Sequence, residues 1–211
     1  MDICEIILDQ HHQQRRLFAV LEEYPRDDTD GLEAIWRQLE TLLELHAEAE
    51  ELYYYPELVK LGTGAADAES TDEEVEDALK DHNELRDAIK RVRAAKVGSE
   101  KWFTAVVDAK TANSDHMAEE ERQDLADFRQ QASLELRHEI AVRFLKHVAE
   151  HQGERIQGKN KDPETYVAYA KKRPTSGAEE AAAEKRSKQT AERASSDPEP
   201  SLTASKSGSD S

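Results

Sequence analysis

Residues Trp36 to Pro56 read WRQLETLLELHAEAEELYYYP. In this stretch Trp36, Leu39, Leu43, His46, Glu50 and Tyr53 recur at the i, i+3, i+4, i+7 spacing of one helix face. The stripe predicts an amphipathic helix that turns a histidine and a glutamate inward along with its apolar side chains. The helix begins near Asp30 and ends or bends at Pro56. Upstream, Asp2 and Glu5 have capping-box spacing and open a helix over about 3–24, which Pro25 stops. Downstream, Thr71 and Glu74 open a third that ends before Gly98, and Ser99 opens a fourth running to about Gln131. Two of the three connections are short, which makes successive helices antiparallel. The fold class is therefore all-α, an up-down-up-down four-helix bundle over residues 1–131. A helical extension over 132–174 carries Leu136, Ile140, Phe144 and Val148 on one face and an Asp162-Pro163 helix start.

Each helix of the bundle brings one histidine to its apolar stripe: His11, His46, His82 and His116, separated by 35, 36 and 34 residues. At about 1.5 Å per residue the first three lie roughly 15 Å from the same end of an antiparallel bundle. His116 joins them if the fourth helix overshoots its neighbours. His46-x-x-x-Glu50 and His116-x-x-x-Glu120 each place a carboxylate one turn after the imidazole, on the same face. Four imidazoles and two carboxylates are costly to bury in an apolar bundle without a partner, and metal binding resolves that cost. Two bridging carboxylates with four histidines suit two ions. Mixed N/O ligation without a thiolate suits iron first and manganese second. His11 and His12 compete for the first-helix role, and periodicity favours His11.

Four segments, Asp9–Phe18, His46–Pro56, Asp81–Arg86 and Asp115–Glu121, carry a pattern H…HxxxE…H…HxxxE that resembles the hemerythrin-like, or HHE cation-binding, family over about residues 1–130. The resemblance implies a non-haem diiron site, oxo- or hydroxo-bridged, that binds or reacts with oxygen, peroxide or nitric oxide. It also implies His11 and His46 on one iron, His82 and His116 on the other, and Glu50 and Glu120 bridging. The oxygen-carrying members have a fifth histidine one turn after the third-helix one, where this chain has Arg86. An arginine does not ligate, so one iron is left with an open position, which favours turnover of peroxide (catalase-like) or nitric oxide over oxygen transport. The alternative is an oxygen- or iron-sensing module without turnover.

Several residues beside this set have competing readings. Tyr53, three residues after Glu50, is expected to hydrogen-bond the bridging carboxylate or to pack in the core, and Tyr54 and Tyr55 to pack or stay partly exposed. Arg86 is expected to orient an anionic peroxide, neutralise a carboxylate or snorkel to the rim. His147-x-x-x-His151 has ligand spacing but no inward carboxylate partner. Asn113 and Trp102 read as bundle core, Cys4 as a small buried residue, and the acidic run Asp67–Asp77 as a solvated loop and helix start.

The rest of the composition bounds partners and compartment. The chain of 211 residues has 29 Lys+Arg against 46 Asp+Glu, a formal charge of −17. From Thr175 onward there is no aromatic residue and one large aliphatic, Leu202, so 175–211 reads as a disordered polar tail. That tail carries a net −2, which leaves −15 on residues 1–174. The acidity argues against nucleic acid and anionic membranes as partners and leaves a small diatomic or peroxide ligand. A single cysteine, no long apolar run and no basic leader after Met1 lead to the expectation of a cytoplasmic protein.

Overall fold

A computed structural model describes residues 1–64, 70–154, 156–175 and 177. The first helix, α1 (Ile3–Glu23), starts at Asp2, whose carboxylate accepts from the Cys4 backbone N–H, and stops before Pro25. The second, α2 (Thr29–Ala49), is capped by Asp28, which accepts from the Gly31 N–H. It does not end at Pro56. It runs through a π-helical turn, Glu50–Tyr54, into α3 (Tyr55–Leu61), where Pro56 occupies the first turn and its missing N–H has no helical partner to lose. Ser70, one residue before the Thr71 expected from sequence, caps α4 (Thr71–Ala94). Ser99 caps α5 (Glu100–Arg122), which breaks at Gln123 before α6 (Asp124–Gln131).

These long helices form the expected all-α bundle, and among the described residues there is no strand. Its interior divides into two apolar cores. One gathers Phe18, Leu21, Trp36, Leu39, Leu43, Leu85, Ile89 and Trp102, with the two tryptophans edge to face at 6.3 Å. The other gathers Ile3, Ile7, Tyr54, Leu58, Leu79 and Phe128. All four histidines of the apolar stripes fall between the two cores. His11 lies between Ile7 and Phe18 on α1, and His82 between Leu79 and Leu85 on α4, so a polar layer is clamped between apolar ones.

The extension completes the second core. Ser133 caps α7 (Leu134–His151), which contributes Ile140, Ala141 and Phe144, and Asp162 caps α8 (Pro163–Ala170), which contributes Val167. Residues Met1–Ser176 form one compact unit. The tail expected to be disordered lies, apart from Thr175 and Gly177, outside the described residues. Among the described residues no helix is long and apolar enough to cross a membrane.

Candidate metal centre

The imidazoles meet in pairs through Nε2: His11 and His46 at 3.1 Å, His82 and His116 at 3.2 Å. Two carboxylates span the pairs. Glu50 places Oε1 2.9 Å from His46 Nε2 and Oε2 3.3 Å from His82 Nε2. Glu120 places Oε2 3.2 Å from His11 Nε2 and 3.9 Å from His116 Nε2. None of these six side chains is more than 3% exposed. His11, His46, Glu50 and Glu120 form one group able to hold a metal ion, and Glu50, His82 and His116 form a second, with Glu50 common to both.

Behind each imidazole, Nδ1 faces an oxygen. His11 Nδ1 lies 2.8 Å from Glu121, His46 Nδ1 2.9 Å from the Gln10 side-chain oxygen, and His82 Nδ1 2.9 Å from Glu51. His116 Nδ1 is 3.7 Å from Asp81, a looser contact. An N–H donated from Nδ1 to these oxygens leaves the Nε2 lone pair aimed into the centre, the tautomer that metal ligation requires. The arrangement repeats across the bundle. Glu51 and Glu121 each directly follow a ligand glutamate and orient a histidine of another helix. Gln10 and Asp81 each directly precede a ligand histidine and face the next helix's histidine.

The electrostatics and geometry fit a cation. Burial pulls His11 and His82 down, but the carboxylates facing them outweigh it and push both up to about 9. Burial holds His46 below its ordinary value. Burial alone would raise Glu50, yet His46 and His82 hold it well below the usual carboxylate range. Both Glu50 oxygens and Oε2 of Glu120 make their close approaches without hydrogen-bond geometry. Orphaned buried carboxylate oxygens beside convergent Nε2 atoms are what a metal ion satisfies. Two nitrogens on one ion with bonds of ~2.1 Å at right angles also stand roughly 3 Å apart, the separation of each histidine pair.

The π turn decides which tyrosine reaches this centre. Its widened loop bonds the Tyr55 N–H to the Glu50 carbonyl, five residues back, so Tyr55 stacks over Glu50. The Tyr55 hydroxyl lies 3.4 Å from Glu120 Oε1 and 3.5 Å from His82 Nε2. Tyr53, the residue expected there from unbroken α-helical spacing, instead lies half-buried against the His147 ring at 5.8 Å. Tyr54 packs on Phe128, with ring centroids 5.1 Å apart.

Arg86 is 2% exposed and takes the carboxylate-neutralising role, with Nη2 2.8 Å from Glu51 and Nε 3.8 Å from Glu44. Lys161, from the extension, pairs with the same Glu51. His12 is exposed. His147 contacts Glu48 at 3.4 Å, His151 Nδ1 is taken by the His147 carbonyl at 2.9 Å, and neither belongs to a metal-holding group among the described residues. Cys4 is buried, which pushes its thiol up to about 11 and keeps it protonated. Asn113 and Trp102 are core residues. Glu74, inside the acidic run read as solvated, is only 4% exposed, because it lies on the same face of α4 as Val75 and Ala78 and is carried inward with them.

The residues that orient the histidines were not singled out from sequence. Their signal is the doubled Glu-Glu after each H-x-x-x and the polar residue immediately before His11 and His82. No curated protein and no solved structure matches the chain. The model of the family described as the hemerythrin HHE cation binding domain matches residues 2–128, the span that contributes all six side chains of the two groups able to hold a metal ion. The chain belongs to the hemerythrin HHE cation-binding family.

Proposed function

We propose that the two ligand groups hold a pair of iron ions bridged by Glu50 and Glu120, and that the loaded protein decomposes hydrogen peroxide in a catalase-like reaction. The observation that carries this reading is Glu50, a single carboxylate within reach of both histidine pairs. Imidazole and carboxylate donors without thiolate suit iron, with manganese second. A bound iron pair supplies the two-electron exchange that turns two peroxides into two waters and dioxygen.

With Glu50 and Glu120 bridging, each ion has two histidines and two carboxylates, and Arg86, one turn after His82, is turned to Glu51 rather than to the centre, so no third imidazole closes the His82–His116 side. The Tyr55 hydroxyl stands between Glu120 and His82. Burial and then the Glu120 charge raise its pKa well above the ordinary value, so it keeps its proton at neutral pH and donates a hydrogen bond to a small oxygen-containing molecule. Phe144 lies edge-on to His46 at 6.1 Å, and Ile7, Leu79 and Tyr54 close the apolar side, which leaves room at the centre for small molecules and not for large substrates. Nitric oxide and dioxygen meet the same size limit. The acidic surface disfavours polyanionic partners, and an unbridged Cys4 suits a reducing compartment such as the cytoplasm.

Metal analysis of the iron-loaded protein should give about two ions per chain, and an oxygen electrode should register dioxygen on addition of peroxide. Two bound irons with no dioxygen release would replace the enzyme by a binding module that senses oxygen or iron. A single mononuclear ion would overturn the paired site.

A further inference from the structure

Beside the centre, between α4 and the α5–α6 junction, lies a cavity of about 170 Å³. Seven of its eleven lining residues are carboxylates, against a single cation among the described lining residues, Arg122. Exposure falls along it from rim to floor. Asp77 is 51% exposed and Glu119 is open to solvent, Asp81 is 27% exposed, and Glu74 and Asp124 are 4% and 3% exposed. His116 and Glu120, both in the metal-holding groups, line its inner end. The cavity therefore joins solvent to the centre through carboxylates of increasing burial.

Glu74 is the second, independent observation. Both of its carboxylate oxygens are buried without a hydrogen-bond donor, and the group within hydrogen-bond reach is another carboxyl, that of Asp124. Two facing carboxyls at this depth cannot both stay charged unaided: burial raises both, and the pair is relieved by a shared proton or by a cation between them. Each lies in the first turn of a helix, Glu74 of α4 and Asp124 of α6, among neighbours Val75, Ala78 and Leu79 that are core. A neutral peroxide gains nothing from a lining dominated by carboxyl groups and an anion is repelled, so the lining selects a cation. Hard, labile oxygen donors suit a divalent ion in transit.

We infer that this acidic cavity is the route by which divalent metal reaches the centre, with the Glu74–Asp124 pair as a transient cation site on the way. The inference rests on the metal-holding reading of the centre. Hydrated metal meets Asp77 and Glu119 at the rim, passes the Glu74–Asp124 pair, and is handed to Glu120 and His116. Such a route sets the rate of loading, through local attraction, and not the final content, which the centre's own ligands set.

The test uses the full-length loaded protein, stripped by a chelator, checked for retained helicity by circular dichroism, and re-supplied with iron(II) under argon or with cobalt(II). Uptake is followed in time and final content is measured. The Glu74→Gln, Asp124→Asn double variant should load about tenfold more slowly at low ionic strength and reach the wild-type content. Its rate should also lose most of the salt dependence of the wild type. The rim pair Asp77→Asn, Glu119→Gln, both exposed and without folding risk, should slow loading several-fold. Asp30→Asn, an exposed carboxylate on another helix, should load like the wild type. Wild-type rates in both the deep and the rim variants overturn the route. So does a fall in final content at unchanged rate, which would make Glu74 a resident ligand. His46→Ala leaves the cavity intact and should lose final content. A wild-type protein that takes up no metal brings down the centre itself, an outcome distinct from equal loading rates.

Discussion

At Glu50 one carboxylate stands 2.9 Å from His46 and 3.3 Å from His82, so its loss strips a ligand from both groups at once. Glu50→Ala should therefore lower metal content per chain far below the wild type, by tenfold or more in affinity. His12→Ala, at an exposed position one residue from His11, should leave it unchanged. Metal analysis after gel filtration checks both. Arg86 makes a different kind of contribution. It is a buried cation facing Glu51 and Glu44, and Arg86→Gln leaves Glu51 with His82 and Lys161 and removes the guanidinium from both carboxylates. Breaking a buried pair costs about 3 kcal/mol, which a urea midpoint on the metal-free protein should register. The convergence of these six side chains was legible because burial on a helix follows a 3.6-residue period, and each of them falls on a stripe with aliphatic neighbours. Gln10, Glu51, Asp81 and Glu121 were not legible. A polar residue adjacent to a ligand lies about 100° around the helix from it, where solvent is the default surrounding. Only the packing of a second helix turns it inward.

The second helix shows the same limit one scale up. Its stripe from Trp36 to Glu50 reads as one helix and folds as one, but the π turn adds a residue between Glu50 and the next inward position. That insertion moves the phenol at the centre from Tyr53 to Tyr55, and no local residue type announces it, since three tyrosines in a row satisfy either register. Pro56 marks the place without fixing its form, because a proline is as compatible with the first turn of a new helix as with the end of an old one. Helix starts were easier, since a cap is a local hydrogen bond made by the residue itself. Asp2 both caps α1 through the Cys4 N–H at 3.0 Å and pairs with Arg137 of α7 at 2.6 Å. Asp2→Ala should accordingly destabilise the protein by about 1–2 kcal/mol. Ser99→Ala, which removes a cap alone, should cost less, near the lower end of that range. Denaturant unfolding of the two variants side by side checks the difference.

For the molecule as a whole, the layer between two apolar cores is a place where metal and protons compete for the same atoms. Burial pulls His11 and His82 down, but Glu120 and Glu121 around the first, and Glu50 and Glu51 around the second, push both up to about 9 in the absence of metal. In the unfolded chain a histidine titrates near ~6.5. The folded pKa is the higher one, so these two protons stabilise the metal-free protein fully below pH ~6.5, and that contribution is lost as pH rises to about 9. The metal-free protein should thus lose stability across this interval. The loaded protein should not show that loss, because its Nε2 atoms carry metal instead of protons. Uptake must displace those protons, so loading at pH 7 should release about two per chain, falling toward none above pH 9. Calorimetric titration with metal in buffers of different ionisation heat reads that number directly. A heat independent of the buffer at pH 7 would mean that His11 and His82 are already neutral, and that the carboxylates around them are held by something other than histidine protons.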